Sequence, residues 1–343
     1  MSVCRKHYAS MKTGMLALTA FTLSVFFTAC KKESRPPEFK LNVVASGLTN
    51  PMGVDVDAAD NIWVSEAGTG ANDGRVLMIK PNGKTYIAIE HLSGFINEGS
   101  GEPQGAAHIL VDGNTLYILS GASLYRADVS SFKPGDVPIN ASKLLREDVG
   151  SFVIKYPFKN NAHDTHPYNL TKGPDGDIYI ADAGANAIIH RLSAGKYSVL
   201  AEIPGFANPT PVGPPMVQPV PTGLFFDGQN FLVTTLTGFP FIAGKAVVYK
   251  VSLGGNVSVF QPGLTTLVDI AEGNMYGRVV LQHGTFGPMG FVANTGSMMF
   301  INGSSTQVLT NSLNMPVGLK QVNGNTWYIT SMGDGTVLKA TYN

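Results

Sequence analysis

The sequence predicts an all-β fold, a six-bladed β-propeller, on three observations: a repeated turn-and-strand pattern, a second motif in phase with it, and a composition suited to many short strands. The first pattern is a tight turn of Asp, Gly or Asn, followed by an apolar strand with an aromatic or large aliphatic residue. These turn residues accept the positive φ of hairpins, and β-branched and aromatic residues suit buried strands. The pattern recurs at residues 60–64, 112–117, 175–180, 227–232, 272–276 and 323–328. A repeat of roughly 45 to 60 residues with several strands per unit is typical of propeller blades.

The second motif is a Pro-x-Gly sequence ahead of the turns. The first strand of a propeller blade lines the central channel, where backbones crowd and small residues are useful, and Pro is tolerated at a strand start. We therefore predict that the motif begins the inner strands. It occurs as Pro51-Met52-Gly53, Pro103-Gln104-Gly105, Pro221-Thr222-Gly223 and Pro316-Val317-Gly318, with His166-Pro167-Tyr168 as a variant.

Composition favours one large domain at residues 39–343. Apolar residues make up 44% of the 343 and charged residues 14%, which supports a packed core and excludes disorder. The 39 glycines and 21 prolines are spread along the chain, as many turns require. The last repeat has too few strands to be complete. We expect Phe39–Ser46 to supply its outer strand, so that the propeller is closed by an N-terminal strand.

The N-terminus predicts export. Basic residues precede an apolar stretch from Met15 to Phe27, which ends in Phe27-Thr28-Ala29-Cys30 and resembles the lipobox of bacterial lipoproteins. We expect a signal peptide at 1–29, lipid attachment at Cys30 and a tether at 30–38; a plain secretory signal is the alternative. The exported chain would then sit at a bacterial membrane, in the periplasm or on the cell surface. Residues 1–29 hold three of the 24 basic residues and none of the 24 acidic ones, so the remainder is mildly acidic and nothing indicates nucleic-acid binding.

Several segments carry a family resemblance. Asn50–Asp55 followed by Asn61–Glu66 looks like an NHL-type repeat. Residues 173–186, the stretch Val220-Pro221-Thr222-Gly223 and above all Leu236-Thr237-Gly238-Phe239-Pro240-Phe241 resemble the ScyD/ScyE family. The resemblance spans nearly all of the chain after the signal peptide. It implies an exported six-bladed propeller and does not imply an activity.

Polar residues cluster before the third repeat, where His163, Asp164, His166 and Asn169 lie within a few positions. Two imidazoles and a carboxylate can bind a divalent cation or act as a general base with its orienting partner. The alternative, which we favour, is a hydrogen-bonded polar loop that caps the channel.

Lactonases of the gluconolactonase type offer an enzymatic comparison. They hold calcium or a similar ion through a Glu, an Asn and an Asp at strand starts, which are oxygen ligands suited to a hard cation. Here Glu102 and Asn169 match the first two. At the third position the sequence has Thr222, which has no carboxylate, and Asp269 is the candidate that supplies the missing charge.

A third possibility is a quinoprotein sugar dehydrogenase, which needs a basic cluster for the carboxylates of its cofactor, yet the arginines are scattered. No Ser nucleophile elbow, phosphate loop or paired-cysteine motif is present. We therefore predict a binding or scaffold module, a monomer whose channel engages a small molecule, a glycan or an envelope protein, with no assigned catalytic residue or cofactor. A metal-dependent lactonase is the alternative. The candidate ligand-binding residues are Glu102, His163, Asp164, His166, Asn169 and Asp269.

Overall fold

Short antiparallel strands joined by tight turns make up nearly all of the computed structural model, which describes residues 39–98, 101–160, 162–273 and 277–342. Four of the six predicted turns contain a residue with a positive φ, whereas Gly324 of the sixth turn does not have one. Asp60, Gly113, Gly176 and Gly228 have φ angles of 60°, 60°, 84° and 96°. These values lie in the left-handed region, which Gly adopts without strain and Asp tolerates better than most residues.

The first half of the chain forms three blades and a hairpin. Strand β1 (Phe39–Ser46) precedes blade 1, which contains β2 (Pro51–Val56), β3 (Ile62–Glu66), β4 (Gly74–Ile79) and β5 (Thr85–Leu92). A two-stranded hairpin, β6 (Phe95–Ile96) and β7 (Pro103–Gln104), leads to blade 2. Blade 2 contains β8 (Ala106–Asp112), β9 (Thr115–Ser120), β10 (Ser123–Asp128) and, after β11 (Ile139–Asn140) and a 3₁₀ turn (Ala141–Lys143), β12 (Leu145–Asp148). Helix α1 (Gly150–Lys155) precedes blade 3, which contains β13 (Pro167–Lys172), β14 (Ile178–Asp182), β15 (Ala187–Ser193) and β16 (Lys196–Glu202).

The second half repeats this plan. The hairpin of β17 (Phe206–Ala207) and β18 (Met216–Val217) leads to blade 4, with β19 (Pro221–Phe226), β20 (Asn230–Thr235), β21 (Ala246–Ser252) and β22 (Val257–Leu264). Blade 5 contains β23 (Leu267–Glu272), β24 (Arg278–Gln282), the inserted hairpin β25 (Phe286–Gly287) and β26 (Gly290–Phe291), then β27 (Gly296–Ile301) and β28 (Thr306–Leu313). Blade 6 contains β29 (Pro316–Asn323), β30 (Thr326–Ser331) and β31 (Thr336–Tyr342). β1 is antiparallel to β31, with Phe39 opposite Tyr342 and Ser46 opposite Thr336.

The blades form a closed ring. The inner strands β2, β8, β13, β19, β23 and β29 each lie beside the inner strand of the next blade, and β29 lies beside β2. The buried apolar side chains form six clusters, one at each blade interface; Trp63 and Ile89 of blade 1, for example, pack with Leu116 and Ile118 of blade 2. Because each blade packs only on its neighbours, the ring needs no separate domains. The six-bladed β-propeller predicted from the sequence is confirmed.

One local detail differs from the sequence interpretation. The second inner strand begins at Ala106, because Ala106 pairs with Ser120 as Pro51 pairs with Glu66, whereas Pro103 and Gln104 belong to the β6–β7 hairpin. Gly105 is needed for another reason: a Cβ there would lie 2.0 Å from the Ala67 carbonyl oxygen.

The long insertion after β10 supplies an outer strand and a short helix. β12 completes blade 2, and β11 adds to blade 1 parallel to β5. Within the described ranges, no helix is long and apolar enough to cross a membrane. The predicted signal peptide and the whole tether, with Cys30, lie outside the described residues.

Candidate functional site

The inner strands can be aligned through their cross-strand partners. In each blade the first residue of the inner strand pairs with the last residue of the second strand, as Pro167 pairs with Asp182 and Leu267 with Gln282. The pairing register then shifts within the next few residues of every inner strand. The residues two positions after the first pair form what we call the waist ring: Gly53, His108, Asn169, Gly223, Asp269 and Gly318.

The glycines of the waist ring allow neighbouring inner strands to approach closely. A Cβ on Gly53 would lie 2.6 Å from the Cα of His108, and one on Gly223 would lie 2.6 Å from the Cα of Asp269. These distances are far below van der Waals contact, so no larger residue fits without moving the backbone. The Pro-x-Gly motif of blades 1, 4 and 6 therefore has the packing role that the sequence indicated.

The three polar members of the waist ring are buried and linked to one another. The Asn169 side-chain amide donates to Asp269 Oδ1 over 2.9 Å, and Asp269 also accepts the backbone N–H groups of Ile270 and Leu319. His108 Nε2 lies 3.6 Å from Asp269 Oδ2. Three blades thus contribute side chains to one polar layer across the channel.

The tautomer of His108 follows from its partners. His108 Nδ1 lies 3.0 Å from the Tyr168 carbonyl oxygen, which can only accept, so Nδ1 carries a proton. Nε2 is buried without a hydrogen-bond partner. In the neutral ring, Nε2 holds a lone pair that faces the Asp269 carboxylate; in the protonated ring, the two groups form an ion pair.

The waist ring divides the channel into two cavities. The lower cavity, of about 220 Å³, is lined by the polar waist residues and by the residues that follow them, including Asp55, Glu272 and Lys320. The upper cavity, of about 540 Å³, is within the range of small-molecule sites. Its side-chain lining comes mainly from Asn50, Met52, Glu102, Gln104, Asp164, His166, Tyr168, Gln218, Val220, Leu236, Val268, His283, Phe291, Val317 and Met332.

One wall of the upper cavity is polar and centres on His166. Asp182, at the end of β14, fixes the segment because it accepts the Thr165 hydroxyl over 2.6 Å and the His166 backbone N–H over 2.8 Å. Burial lowers the pKa of His166, although the charges of Asp182 and Asp164 act in the opposite direction. The imidazole is therefore mostly neutral at pH 7, which is the form that accepts a proton.

Tyr168 extends this polar wall toward the waist ring. Its ring lies 6.3 Å from that of His166 and 4.8 Å from that of His108, measured between centroids. Burial and the nearby charge of Asp269 raise the pKa of Tyr168, so the phenol keeps its proton and can donate a hydrogen bond. This side chain was not among the predicted site residues.

The opposite wall is apolar and is contributed mainly by blades 4 to 6. His283 stands in it perpendicular to Phe291, with ring centroids 4.7 Å apart. Its Nδ1 lies 3.1 Å from the Pro316 carbonyl oxygen. Burial lowers the pKa of His283, although that hydrogen bond acts in the opposite direction, so this wall carries little positive charge at neutral pH.

The predicted site residues fall into three places. Glu102, Asp164 and His166 line the upper cavity, whereas Asn169 and Asp269 contact each other in the waist ring and line the lower cavity. The sixth predicted residue, His163, is exposed and is not part of either lining.

Sequence reasoning missed His108, Tyr168, His283 and Phe291. His108 could have been found from the sequence, because aligning the inner strands residue by residue places it at the same position as Gly53 and Asn169. No local pattern marks His283 or Phe291, which reach the channel only through the packing of blade 5.

The residues that the lactonase alternative offers as calcium ligands do not converge. Glu102 belongs to the upper cavity, while Asn169 and Asp269 belong to the lower one, and Asp269 already accepts three N–H groups. The three residues therefore do not form a common oxygen cage.

Within the described residues, one group of three acidic and imidazole side chains has ligand atoms close enough for a cation: Asp175, Asp177 and His190. It lies on an outer turn of blade 3, away from both cavities. His190 stacks on Tyr179 there, with ring centroids 4.2 Å apart, and the Tyr179 hydroxyl donates to Asp175. These side chains are mutually satisfied, which accounts for their proximity.

Known structures of the same fold include several propeller enzymes. The chain is 13% identical to a gluconolactonase from Xanthomonas campestris, with a TM-score of 0.57 over 91% of this chain and 96% of that one. It is 14% identical to virginiamycin B lyase from Staphylococcus aureus, with a TM-score of 0.53 over 89% and 99% of the two chains. A PQQ-bound aldose sugar dehydrogenase from Streptomyces coelicolor gives 13% identity and a TM-score of 0.55 over 90% and 99%.

At these identities the similarity establishes the fold: a six-bladed propeller of the kind seen in gluconolactonases and virginiamycin B lyase. No protein-family model matches the sequence, and no curated protein matches it either. The described lining of the upper cavity contains neither Lys nor Arg, so its residues do not fit a cofactor that carries several carboxylates. The quinoprotein alternative has no support from this geometry.

Proposed function

We propose that the protein is a small-molecule hydrolase of the lactonase type, which opens a cyclic ester in the upper cavity. The observation that carries the proposal is His166, an imidazole kept neutral by burial that lines a cavity of about 540 Å³ together with Asp164, Glu102 and Tyr168. A neutral base, acidic groups and a protonated phenol on one wall are the groups that ester hydrolysis uses. The fold that the chain shares with a known gluconolactonase supports this class of reaction.

In the proposed mechanism His166 takes a proton from a water molecule, and the water oxygen attacks the ester carbonyl carbon. The carbonyl oxygen gains negative charge, and the Tyr168 hydroxyl donates a hydrogen bond to it. The charges of Asp182 and Asp164 stabilise the imidazolium that forms. The C–O bond of the ring then breaks, and the proton passes from His166 to the leaving alkoxide, which gives the hydroxy acid. No step is assigned to a metal, because Glu102 lines the upper cavity whereas Asn169 and Asp269 line the lower one.

The test is hydrolysis of a lactone panel by residues 37–343, followed by base titration of the released acid. We expect turnover by the unaltered protein and a loss of about 10²- to 10⁴-fold in kcat for His166→Ala. His163→Ala is the matched control, because His163 is exposed and outside the cavity lining, and it should retain full activity. Equal activity of the two variants would remove His166 from the mechanism.

The pH profile gives an independent readout. His166 acts as a base only when neutral, and its pKa is lowered below its usual value. The kcat/KM value should therefore be constant around pH 7 and fall as the pH drops through a value below about 6.5. A profile that falls instead between pH 7 and 8 would assign the base to another group.

A binding module of the ScyD/ScyE type is the second candidate. The stretch Leu236 to Phe241, the most specific part of that resemblance, meets the upper cavity: Leu236 lines it and Phe241 packs on Phe291, with ring centroids 5.1 Å apart. A ligand held here without turnover would be a small molecule, a glycan or a segment of an envelope protein. Saturable binding with no hydrolysis of any lactone would favour this candidate.

We also propose that the protein is exported, lipid-anchored through Cys30 and monomeric at the membrane. The support is the apolar N-terminal stretch followed by Thr28-Ala29-Cys30. The anchor would hold the propeller at the membrane surface of the cell envelope.

A further inference from the structure

The upper cavity has two chemically different sides that come from different blades. The polar side comes from the β6–β7 hairpin and the start of blade 3, through Glu102, Gln104, Asp164, His166 and Tyr168. The other side comes from blade 1 and from blades 4 to 6 with their preceding loops, and it is mainly apolar. Its apolar members, which we call the apolar wall, are Met52, Val220, Leu236, Val268, Phe291, Val317 and Met332.

Aromatic packing holds the apolar wall in place. Phe291 contacts Phe286 and Phe241, with ring centroids 5.2 Å and 5.1 Å apart, and these two rings are 4.6 Å from each other. The cluster joins the β25–β26 hairpin to the loop after β20. Because Phe291 is fixed by these neighbours, a ligand group that packs on it loses little of its binding free energy to ordering the wall.

Two polar groups on this side already form hydrogen bonds within the protein, and the other polar side-chain groups on this side are Asn50, Gln218 and the Nε2 atom of His283. The Thr222 hydroxyl lies 2.9 Å from the Leu267 carbonyl oxygen and 3.0 Å from the Thr234 hydroxyl. His283 Nδ1 bonds to the Pro316 carbonyl oxygen over 3.1 Å. A ligand hydroxyl group that faces the seven side chains of the apolar wall has no partner among them, at a cost of about 1 to 3 kcal/mol for each unpaired group.

We infer that the ligand of the upper cavity is amphipathic: a lactone whose ring faces His166 and Tyr168 and whose alkyl or aryl substituent packs on the apolar wall around Phe291. This inference rests on the proposed hydrolase function and narrows it. The preferred substrates are substituted lactones, and polyhydroxylated sugar lactones are discriminated against.

The first experiment compares hydrolysis of γ-lactones that differ only in alkyl chain length, from γ-butyrolactone to γ-decalactone, with glucono-δ-lactone as the polar competitor. The kcat/KM value should rise about fourfold for each methylene buried, until the wall is covered. A flat series, or a preference for glucono-δ-lactone, would overturn the inference while leaving the hydrolase proposal intact.

The second experiment measures binding without turnover. The probes are pyrrolidin-2-ones with the same alkyl chains, whose amide bond resists hydrolysis, titrated by calorimetry. Affinity should rise with chain length in the same way. If no lactone is hydrolysed and the pyrrolidinone series still shows this rise, the amphipathic site stands and the hydrolase proposal fails. If neither series depends on chain length, the inference fails.

Substitutions of Phe291 test whether the dependence of affinity on chain length arises at the apolar wall. Phe291→Ala should reduce affinity for the longest pyrrolidinone about tenfold and leave the shortest nearly unchanged. Phe95→Ala is the matched control, since Phe95 is an exposed phenylalanine on another two-stranded hairpin and does not line the cavity. Phe291→Leu keeps an apolar group and should restore most of the affinity, and melting temperatures identify any variant that fails to fold. Equal losses for the short and long probes in Phe291→Ala would overturn the assignment of the wall.

Discussion

At the scale of single residues, one position of the inner strand accounts for the division of the channel. Where the waist ring has glycine, as at Gly223, the backbone of the next blade fills the space that a side chain would need. Where it has a polar residue, as at Asn169 and Asp269, the side chains meet in the channel and form a hydrogen bond over 2.9 Å. The same backbone position therefore either seals a blade interface or builds the polar layer.

Substituting one of these glycines should be costly. A Cβ on Gly223 would lie 2.6 Å from Asp269 Cα and 2.7 Å from the Ile270 backbone nitrogen, so Gly223→Ala must push two inner strands apart. We expect a loss of about 1 to 3 kcal/mol in the free energy of unfolding, measured by urea denaturation.

Gly324→Ala is the matched control, because a Cβ at this exposed turn position meets nothing within 4 Å. Its free energy of unfolding should change by no more than about 0.5 kcal/mol. Similar values for the two variants would mean that the inner strands separate easily and that close approach is not what selects glycine.

At the scale of structural elements, buried charge links blades 2 and 3 around the outside of their apolar interface. Glu147 of β12 accepts both Nε and a terminal nitrogen of Arg191 of β15 at 2.8 Å, and it also accepts the Tyr197 hydroxyl over 3.0 Å. Burial acts to raise the pKa of Glu147, but these hydrogen bonds outweigh it and leave the pKa below its usual value. Folding therefore favours the ionised form of Glu147 over its protonated form.

Glu147→Gln should destabilise the protein by about 3 to 5 kcal/mol at pH 7, because it leaves the buried Arg191 guanidinium without its counter-ion. The folded-state pKa of Glu147 is lowered, so its contribution is present above the unfolded-state pKa and is lost as the pH falls through the folded-state value. The difference in free energy of unfolding between the unaltered protein and Glu147→Gln should therefore shrink below about pH 4, as measured by urea denaturation across a pH series.

Asp112→Asn provides the comparison, since the exposed Asp112–Lys172 pair joins the same two blades at 2.8 Å. Exposed pairs contribute about 0 to 1 kcal/mol, so this variant should be close to the unaltered protein at every pH. A Glu147→Gln variant as stable as Asp112→Asn would show that the buried pair is not what joins the blades.

At the scale of the whole molecule, the ring brings distant parts of the chain together. β29 lies beside β2, and β1 pairs with β31, so the first and last described strands share one sheet. The mouth of the upper cavity is surrounded by inserted segments from three blade regions, among them the β6–β7 and β25–β26 hairpins. The blades supply a rigid frame, and the inserted hairpins give the cavity its individual lining.

The proposed membrane attachment concerns the whole molecule and is tested in cells. Cys4 and Cys30 are the two cysteines of the chain, and only Cys30 follows the apolar stretch and the small residues that precede lipid attachment. Cys30→Ser should abolish incorporation of labelled palmitate and move the protein from the membrane pellet to the soluble fraction. Cys4→Ser should change neither, and loss of label in Cys4→Ser with retention in Cys30→Ser would contradict the proposal.

The fold was predictable because its signals are local. The turn glycines Gly113, Gly176 and Gly228 adopt the positive φ that their sequence context indicates, and the strands between them have the expected β-branched and aromatic residues. The Pro-x-Gly motif failed only at Pro103, where a hairpin intervenes before the inner strand. There the inner strand begins a few residues after the motif, and a repeat pattern alone does not locate a strand start to within a few residues.

The candidate site was predictable only in part. His166, Asp164 and Glu102 do line the upper cavity, but their neighbours in sequence diverge: His163 is exposed, and Asn169 turns to the waist ring. Only Asn169 belongs to β13, whereas His163, Asp164 and His166 lie in the loop before that strand, so the cluster in sequence does not remain one cluster in space. Phe291 and His283 come from blade 5, and no local sequence motif identifies them as channel residues.

The sequence by itself determined the number of blades, the positions of the hairpin turns and the glycines of the inner strands, because all of these depend on backbone preferences of adjacent residues. Only the tertiary structure decided which side chains meet. Asn169 and Asp269 are 100 positions apart, and they form a hydrogen bond because closing six blades into a ring brings their inner strands to a common channel. The polar and apolar sides of the upper cavity arise in the same way, since residues from separate blades acquire a shared surface only when the ring is complete.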